Sequence, residues 1–545
     1  MALAAAAAMA GRPGPAGADR DKDHGKDRDR DRRASFGEYV KAARAVQEWR
    51  LAEARTLTAE LGRTAPDEPE TRYLQAQLAF LDGDYAAARA ILDKLDDPRV
   101  RDVVRDLAPL VAATEATTRD FDEKAFAHFV IRYPPGKDEV LVDLAGEALE
   151  AAWAAVGDDL GWRPATRVRV EILPEITDLA RVSTLTEREI ETSGTIALCK
   201  YNKLMIVSPR ATVFGYPWLD TLAHEYTHYV VSAASEDRVP IWLHEGLAKF
   251  EESRWRAAPG AAGLGRPAEQ LLAGALKKGR LITFEEMHPS MAKLPSQQAA
   301  ATAFAEVYTI VAWMQGKIGY QGIRGVLARI KDGRSERRAI AEVVGEPWPK
   351  VEDAWKRYLR GLKLEAAPAG KGAARKLVLK KGRKGDEAAD ENAGLDQVGE
   401  ERARKLARLG GMLRARGRLA PAAVEYEKAL AITGPADPFV AGKLAGTYLE
   451  LGAPAKAVAT ATPLVAGNVD DAYPEATLGV AYLQLGDAAK AEQHLSVAVR
   501  ISPFDPEVRC GLSQAYTQLG QAAPAERETA ACERLGHPQP PRGAK

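Results

Sequence analysis

Cysteine is scarce. There are three, Cys199, Cys510 and Cys532, in 545 residues. They form no C-x-x-C pair and no disulfide framework, which excludes a cysteine-stapled secreted domain and a thiolate zinc ribbon. Buried free thiols are expected at all three positions. Neither sign of charge is in excess, with Lys+Arg 76 and Asp+Glu 76. That balance argues against broad binding to nucleic acid or to a membrane surface. No apolar run reaches the ~20 residues of a membrane span, so a soluble chain is expected. Histidine is also rare, at eight residues. The spacing of the few that occur therefore carries information.

A chain of this length exceeds one hydrophobic core, and composition divides it. Residues 1–35 are Ala-rich, then Pro/Gly-rich, then an alternation of Asp with Arg or Lys. Such a tract buries too little apolar surface to order itself, and a disordered tail is expected. Met1–Ala18 has the small residues of a secretory signal but no positive start, so cytoplasm and export both stay open. Residues 36–117 read as helix. Residues 118–365 mix strands and helices. Residues 366–400 are a charged linker, basic then acidic, and 401–537 are helical again, followed by a tail at 538–545.

The two helical regions carry a repeat. Gly417, Gly452, Gly486 and Gly520 recur at intervals of 34 or 35 residues, each between two helical patterns. Asp82-Gly83-Asp84-Tyr85 and the stretch around Trp49 form a weaker pair of the same outline. Both regions resemble tetratricopeptide repeats, the C-terminal one over four units. The resemblance implies stacked helix pairs whose groove takes a peptide or protein partner.

Between them, Thr221-Leu-Ala-His-Glu-Tyr-Thr-His-Tyr229 reads as helix. His224 and His228 stand four apart, so their imidazoles share one face and can hold one zinc ion through neutral nitrogens. Glu225 projects beside them and suits a base that takes a proton from water. A catalytic zinc needs a third protein ligand and an open position. Pro240 opens a second helix after a short turn at Ser235–Asp237, and two antiparallel helices would return Glu245 to the histidines. His244, next to Glu245, is expected to point elsewhere, as a structural or surface residue.

The pattern H-E-x-x-H followed by Trp242-Leu-His-Glu-Gly-Leu-Ala248 resembles the glutamate-zincins of the peptidase MA-like clan. The resemblance implies an α+β catalytic domain with zinc, one per chain, held by His224, His228 and Glu245, and with Glu225 as general base. It further implies an edge strand that receives the substrate backbone, for which Leu204–Val207 is the expected counterpart, and a helix-borne tyrosine as oxyanion donor, for which Tyr308 is the candidate. The chain departs from the clan in two places. Lys249 stands where some members carry an acidic brace for a ligand histidine. The Gly-x-Met-Glu-Asn type of motif that grips a free amine is also missing, which favours an endopeptidase over an aminopeptidase.

Around these motifs, strands are expected at His128–Tyr133 and Val168–Leu173, with a hairpin at Thr195–Cys199 and Leu204–Ser208 turning through Lys200-Tyr-Asn-Lys203. Helices are expected over Asp138–Val156, Trp218–Ser232 and Ala301–Gln315, and a loop over Glu252–Arg266. The expected fold is mostly α, with a glutamate-zincin-like α+β domain between tetratricopeptide-like repeats. The expected function is a zinc peptidase acting on a peptide or protein substrate, with repeat arms that bind a protein. The alternative is a repeat-based adaptor whose peptidase-like domain is inactive and only metal-stabilised.

Overall fold

The computed structural model describes residues 22–364, 395–465 and 471–536. The expected linker up to residue 394, the first 21 residues and the tail from residue 537 lie outside them. The expected unfolded tail at 1–35 is corrected from Lys22 onward, where a helix begins.

Five helices form the N-terminal layer: α1 (Lys22–Gln47), α2 (Leu51–Thr64), α3 (Pro69–Asp82), α4 (Tyr85–Leu92) and α5 (Arg101–Thr118). Gly83, at φ 81°, closes α3 in the left-handed region, and the Asp84 side chain caps α4. The central domain adds strands β1 (Asp122–Ala125) and β2 (Phe129–Tyr133), helix α6 (Val142–Leu160) and strand β3 (Val168–Leu173). Short helices α7 (Ile176–Arg181) and α8 (Glu187–Ser193) precede the hairpin β4 (Ala197–Lys200) and β5 (Lys203–Val207). Tyr201 and Asn202, at φ 55° and 58°, make the two-residue turn. Consecutive left-handed residues suit the twist of a tight hairpin.

The sheet order is β1-β2-β3-β5-β4. Strands β2, β3 and β5 run parallel, and β1 and β4 are antiparallel edges. The expected substrate edge at Leu204–Val207 is therefore corrected. Those residues lie in β5, an interior strand buried at every position, and the edge is β4. The uninterrupted apolar run Leu204-Met-Ile-Val207 is what a parallel strand covered on both faces requires.

One face of the sheet packs with α6, α9 (Trp218–Ser235), α10 (Ile241–Glu251), α11 (Arg266–Lys277) and α12 (Gln297–Lys331) into the main core. Helix α12 is kinked at Gly319. Helices α13 (Glu336–Val344) and α14 (Trp348–Gly361) close the domain. On the other face, the N-terminal layer grips the hairpin turn, where Asn202 donates to the Leu81 carbonyl (3.2 Å); Tyr229 of α9 donates to the same Asn202 side chain (2.7 Å).

Four helix pairs follow: α15 (Glu401–Arg414) with α16 (Leu419–Thr433), α17 (Pro438–Glu450) with α18 (Pro454–Val465), α19 (Ala472–Gln484) with α20 (Ala488–Ile501), and α21 (Pro506–Gln518) with α22 (Ala522–Leu535). The four recurring glycines sit between the members of each pair at φ 67–81°. That conformation costs other residues strain. The last two pairs dock on the central domain, α20 through Ile501 and the final pair through two arginines. Arg509 donates to the Val140 carbonyl (3.2 Å), Arg527 pairs with Glu147 (2.7 Å), and the Tyr216 amide donates to the Ile501 carbonyl (3.0 Å). The expectation of three free thiols is corrected as well: Cys510 of α21 and Cys532 of α22 form a disulfide, with Cα atoms 5.2 Å apart, and Cys199 alone is free.

Candidate metal centre

Helix α9 presents Leu222, Ala223, Tyr226 and Val230 to the core, which leaves His224 and His228 together on an adjoining face. Asp220 lies in the first turn, where a negative charge complements the helix dipole. Glu236 and Asp237, at φ 54° and 55°, reverse the chain. Helix α10 then runs back along α9 and brings Glu245 between the two imidazoles.

One oxygen of Glu245 lies 3.3 Å from Nε2 of His224 and 3.3 Å from Nε2 of His228. A charge-assisted hydrogen bond would draw such atoms to ~2.7–2.9 Å. Zinc–ligand distances of about 2.0–2.2 Å in a tetrahedron instead set neighbouring donor atoms about 3.3–3.5 Å apart. The residues therefore fit a zinc ion held by two imidazoles and one carboxylate. Donor atoms of His224, Glu225 and His228 also lie within 4.8 Å of one another. Glu225 is the less apt ligand of the two glutamates, because its carboxylate faces the backbone amide of Cys199 on β4.

The other ring nitrogens are braced from positions the sequence does not reveal. Nδ1 of His224 lies 3.4 Å from Glu252, whose second oxygen takes a 2.5 Å bond from Lys249. Lys249, the departure from the clan pattern, thus anchors a brace supplied three residues later. Nδ1 of His228 lies 2.5 Å from Nδ1 of His244. The expectation that His244 points elsewhere is corrected. His228 packs over the start of α10, so consecutive residues of that helix flank it on two sides.

Burial opposes charge on His224, but Glu245 and Glu252 outweigh it and push its pKa up to about 10. Burial would raise Glu245, but the charge of His228 and contacts from both imidazoles hold it far below the usual range. Burial, reinforced by the neighbouring His228 charge, lowers His244 to about 3. Burial also raises the Glu225 carboxyl, against the pull of the two histidines. A metal would compete with the proton on His224 for the same lone pair.

These groups line a cavity of about 950 Å³. Its walls are β4 (Ala197–Cys199), the face of α12 with Phe304 and Tyr308, and α11 with Leu271. Tyr308 is buried against Phe250, and burial lifts its hydroxyl to about 12. All five predicted residues, His224, Glu225, His228, Glu245 and Tyr308, thus border one cavity. Glu252 and His244 escape a reading of the sequence, and only the packing of α10 on α9 identifies them.

No protein-family model and no curated protein matches the chain. Among solved structures, a crystal structure of MamA is similar at 22% identity, covering 23% of this chain and 71% of that one, with a TM-score of 0.21. TTC0263, a thermophilic tetratricopeptide protein of Thermus thermophilus, is similar at 28% identity over 25% of this chain and 74% of that one, TM-score 0.23. The first tetratricopeptide domain of human RPAP3 is similar at 21% identity over 24% and 97%, TM-score 0.21. Two of these three are described as tetratricopeptide proteins, and each matches about a quarter of this chain. Among the described residues, no helix is long and apolar enough to cross a membrane.

Proposed function

We propose that this chain is a zinc-dependent peptidase with helical-repeat arms that bind protein. The observation that carries the reading is the single Glu245 oxygen set 3.3 Å from both imidazole Nε2 atoms, with the Glu225 carboxyl alongside. His224, His228 and Glu245 would hold the metal. When bound, zinc polarises a carbonyl and makes water a nucleophile at neutral pH.

The chain's own residues would do the rest. The outer edge of β4, which no described strand covers, would offer backbone groups to an extended peptide, and hydrogen bonds of that kind ignore side-chain identity. Glu225 would take the proton of the attacking water and return it to the leaving amine. Its proximity to the Cys199 amide would hold the base against the bound strand. Tyr308, protonated throughout the neutral range, would donate to the developing oxyanion. In the repeats, Leu409, Met412, Tyr473 and Leu485 leave large apolar surface in solvent, which supports a protein partner there.

The second reading is an adaptor in which metal only stabilises the central domain. The four C-terminal helix pairs favour it, since they need no catalysis to be useful. The buried Glu225 speaks against it, because a closed structural site has no use for an extra carboxyl held beside it. Metal content by mass spectrometry on chelator-free protein tests both. One zinc per chain in the wild type and in Glu225→Gln, none in His228→Ala, and cleavage of a peptide library by the wild type alone are the expected results. One zinc with no cleavage by any form would leave the adaptor, and no zinc after reconstitution would remove the peptidase.

A further inference from the structure

His228 uses both ring nitrogens. Nε2 faces the Glu245 oxygen at 3.3 Å, and Nδ1 faces Nδ1 of His244 at 2.5 Å. Beyond His244 the contacts continue. Its Nε2 lies 3.1 Å from the Ser232 hydroxyl, and that hydroxyl donates to Asp237 at 2.9 Å. A neutral imidazole has one donor and one acceptor, so a proton fixed at one end of such a chain fixes all the others. Asp237 is the end that accepts. The Ser232 proton then points to Asp237, and its oxygen accepts from His244 Nε2–H. His244 Nδ1 is left bare and can only accept, so the proton between the rings belongs to His228.

We propose that His244, Ser232 and Asp237 form a positioning relay in which Nδ1 of His244 accepts the Nδ1 proton of His228, so that Nε2, the nitrogen facing Glu245, is the one left to meet a metal. The relay replaces the carboxylate that more often braces a metal-binding histidine. It explains why a histidine can stand directly before Glu245: at this position its ring bridges α10 back to α9. Ser232 lies one helical turn beyond His228, which places acceptor and ligand on the same face of α9. Asp237 comes from the left-handed turn at the end of that helix. A turn between the two helices thereby reaches the metal centre. The purpose of the relay rests on the metal-site reading above, whereas its direction rests on the hydrogen bonds alone.

The two can be tested separately. The full-length, metal-free protein is labelled with ¹⁵N-histidine, and long-range ¹H–¹⁵N correlation spectra are recorded, with His228 and His244 assigned by their loss in His228→Gln and His244→Asn. The expected result is a protonated Nδ1 on His228, slow to exchange, and an unprotonated Nδ1 on His244. The reverse pattern, or a bare Nδ1 on His228, overturns the relay, and needs no variant to fold. Zinc affinity is then measured by chelator competition. His244→Asn can accept from His228 and donate to Ser232, and should bind zinc within a few-fold of wild type. His244→Leu, similar in bulk but without hydrogen bonds, should bind about 10–100-fold more weakly. Equal affinity in His244→Leu overturns the relay's role in metal binding. A wild type that takes up no zinc overturns the metal reading instead, and the ring spectra still decide the relay.

Discussion

Two buried polar clusters lie on opposite sides of the same hairpin, and they are finished to different degrees. In the first, Glu171 of β3 takes bonds from Lys203 (2.7 Å) and from the Tyr85 hydroxyl, while Lys203 also donates to Tyr85 (2.9 Å). Glu171 and Lys203 are 0% and 1% exposed, with no room between them. Burial disfavours the Glu171 charge, but Lys203 and Tyr85 hold the carboxyl below its usual range. In the second, Glu245 meets two imidazoles at 3.3 Å beside a cavity of about 950 Å³. The ingredients are similar: a carboxylate and basic nitrogens. The first is closed, with Lys203 and Tyr85 at hydrogen-bond length from Glu171 and Arg132 behind them at 3.7 Å. The second is open, at the spacing that ligands keep around a cation. The short contacts leave no space between Glu171 and Lys203, whereas the spacing around the Glu245 oxygen would admit a cation.

The comparison breaks most sharply at Glu225, which belongs to the open cluster by position but not by ligation. Glu225→Gln should keep zinc and lose peptide hydrolysis by roughly 10²–10⁴-fold. Undiminished cleavage in that variant would show that another group moves the proton. Next in size is the closed cluster. Lys203→Met leaves the buried Glu171 with only Tyr85 and the more distant Arg132, and should cost about 3 kcal/mol of stability in denaturant unfolding, without changing zinc content. Adding Glu171→Leu should recover part of that loss, because the buried carboxylate is then gone, although Arg132 loses its partner. If Lys203→Met instead emptied the metal site and left stability intact, the two clusters would not be separate. Tyr308→Phe comes third. It should keep zinc and lower the rate constant by about 10²-fold or less with little change in apparent substrate binding. A rate equal to that of wild type would return Tyr308 to the core.

Much of the open cluster was legible because it is local. The four-residue spacing of His224 and His228 reads directly as one helix face. Pro240 and the short turn at Ser235–Asp237 are enough to send Glu245 back toward them. The C-terminal repeats are legible for another local reason, the recurring glycine that each turn requires. The unread features all depend on which element lies beside which. A residue next to a ligand normally faces away from it, and His244 breaks that rule because α9 crowds the start of α10. The hairpin is visible in the sequence, but its edge belongs to β4 and not to β5. The unbroken apolar run in β5 is the available signal, since an edge strand seldom avoids polar residues. Cys510 and Cys532 read as free thiols by spacing, although the repeat already holds the answer. One lies near the start of α21 and the other near the end of α22, and antiparallel partners bring such positions together.

Glu306 extends the comparison to a buried carboxyl with neither cation nor cavity. It sits on α12, two residues from Phe304 and from Tyr308, and is fully buried. Both its oxygens face the Ile282 amide, at 3.0 and 3.1 Å. With no positive partner among the described residues to offset it, burial pushes its pKa from 4.5 up to about 8. The sign follows directly. A carboxyl with a raised folded-state pKa binds its proton more tightly in the folded chain. Its contribution to stability is complete below about pH 4.5 and is lost as the pH rises through about 8. Glu306→Gln keeps an acceptor for Ile282 and removes the ionisation. Its melting temperature should match wild type near pH 5 and exceed it by about a few degrees at pH 9. Parallel pH profiles would mean that Glu306 finds a cation after all. A flattened profile in the variant would show that this interior keeps an unpartnered carboxyl neutral. Glu245, under the same burial, then owes its charge to the two imidazoles beside it.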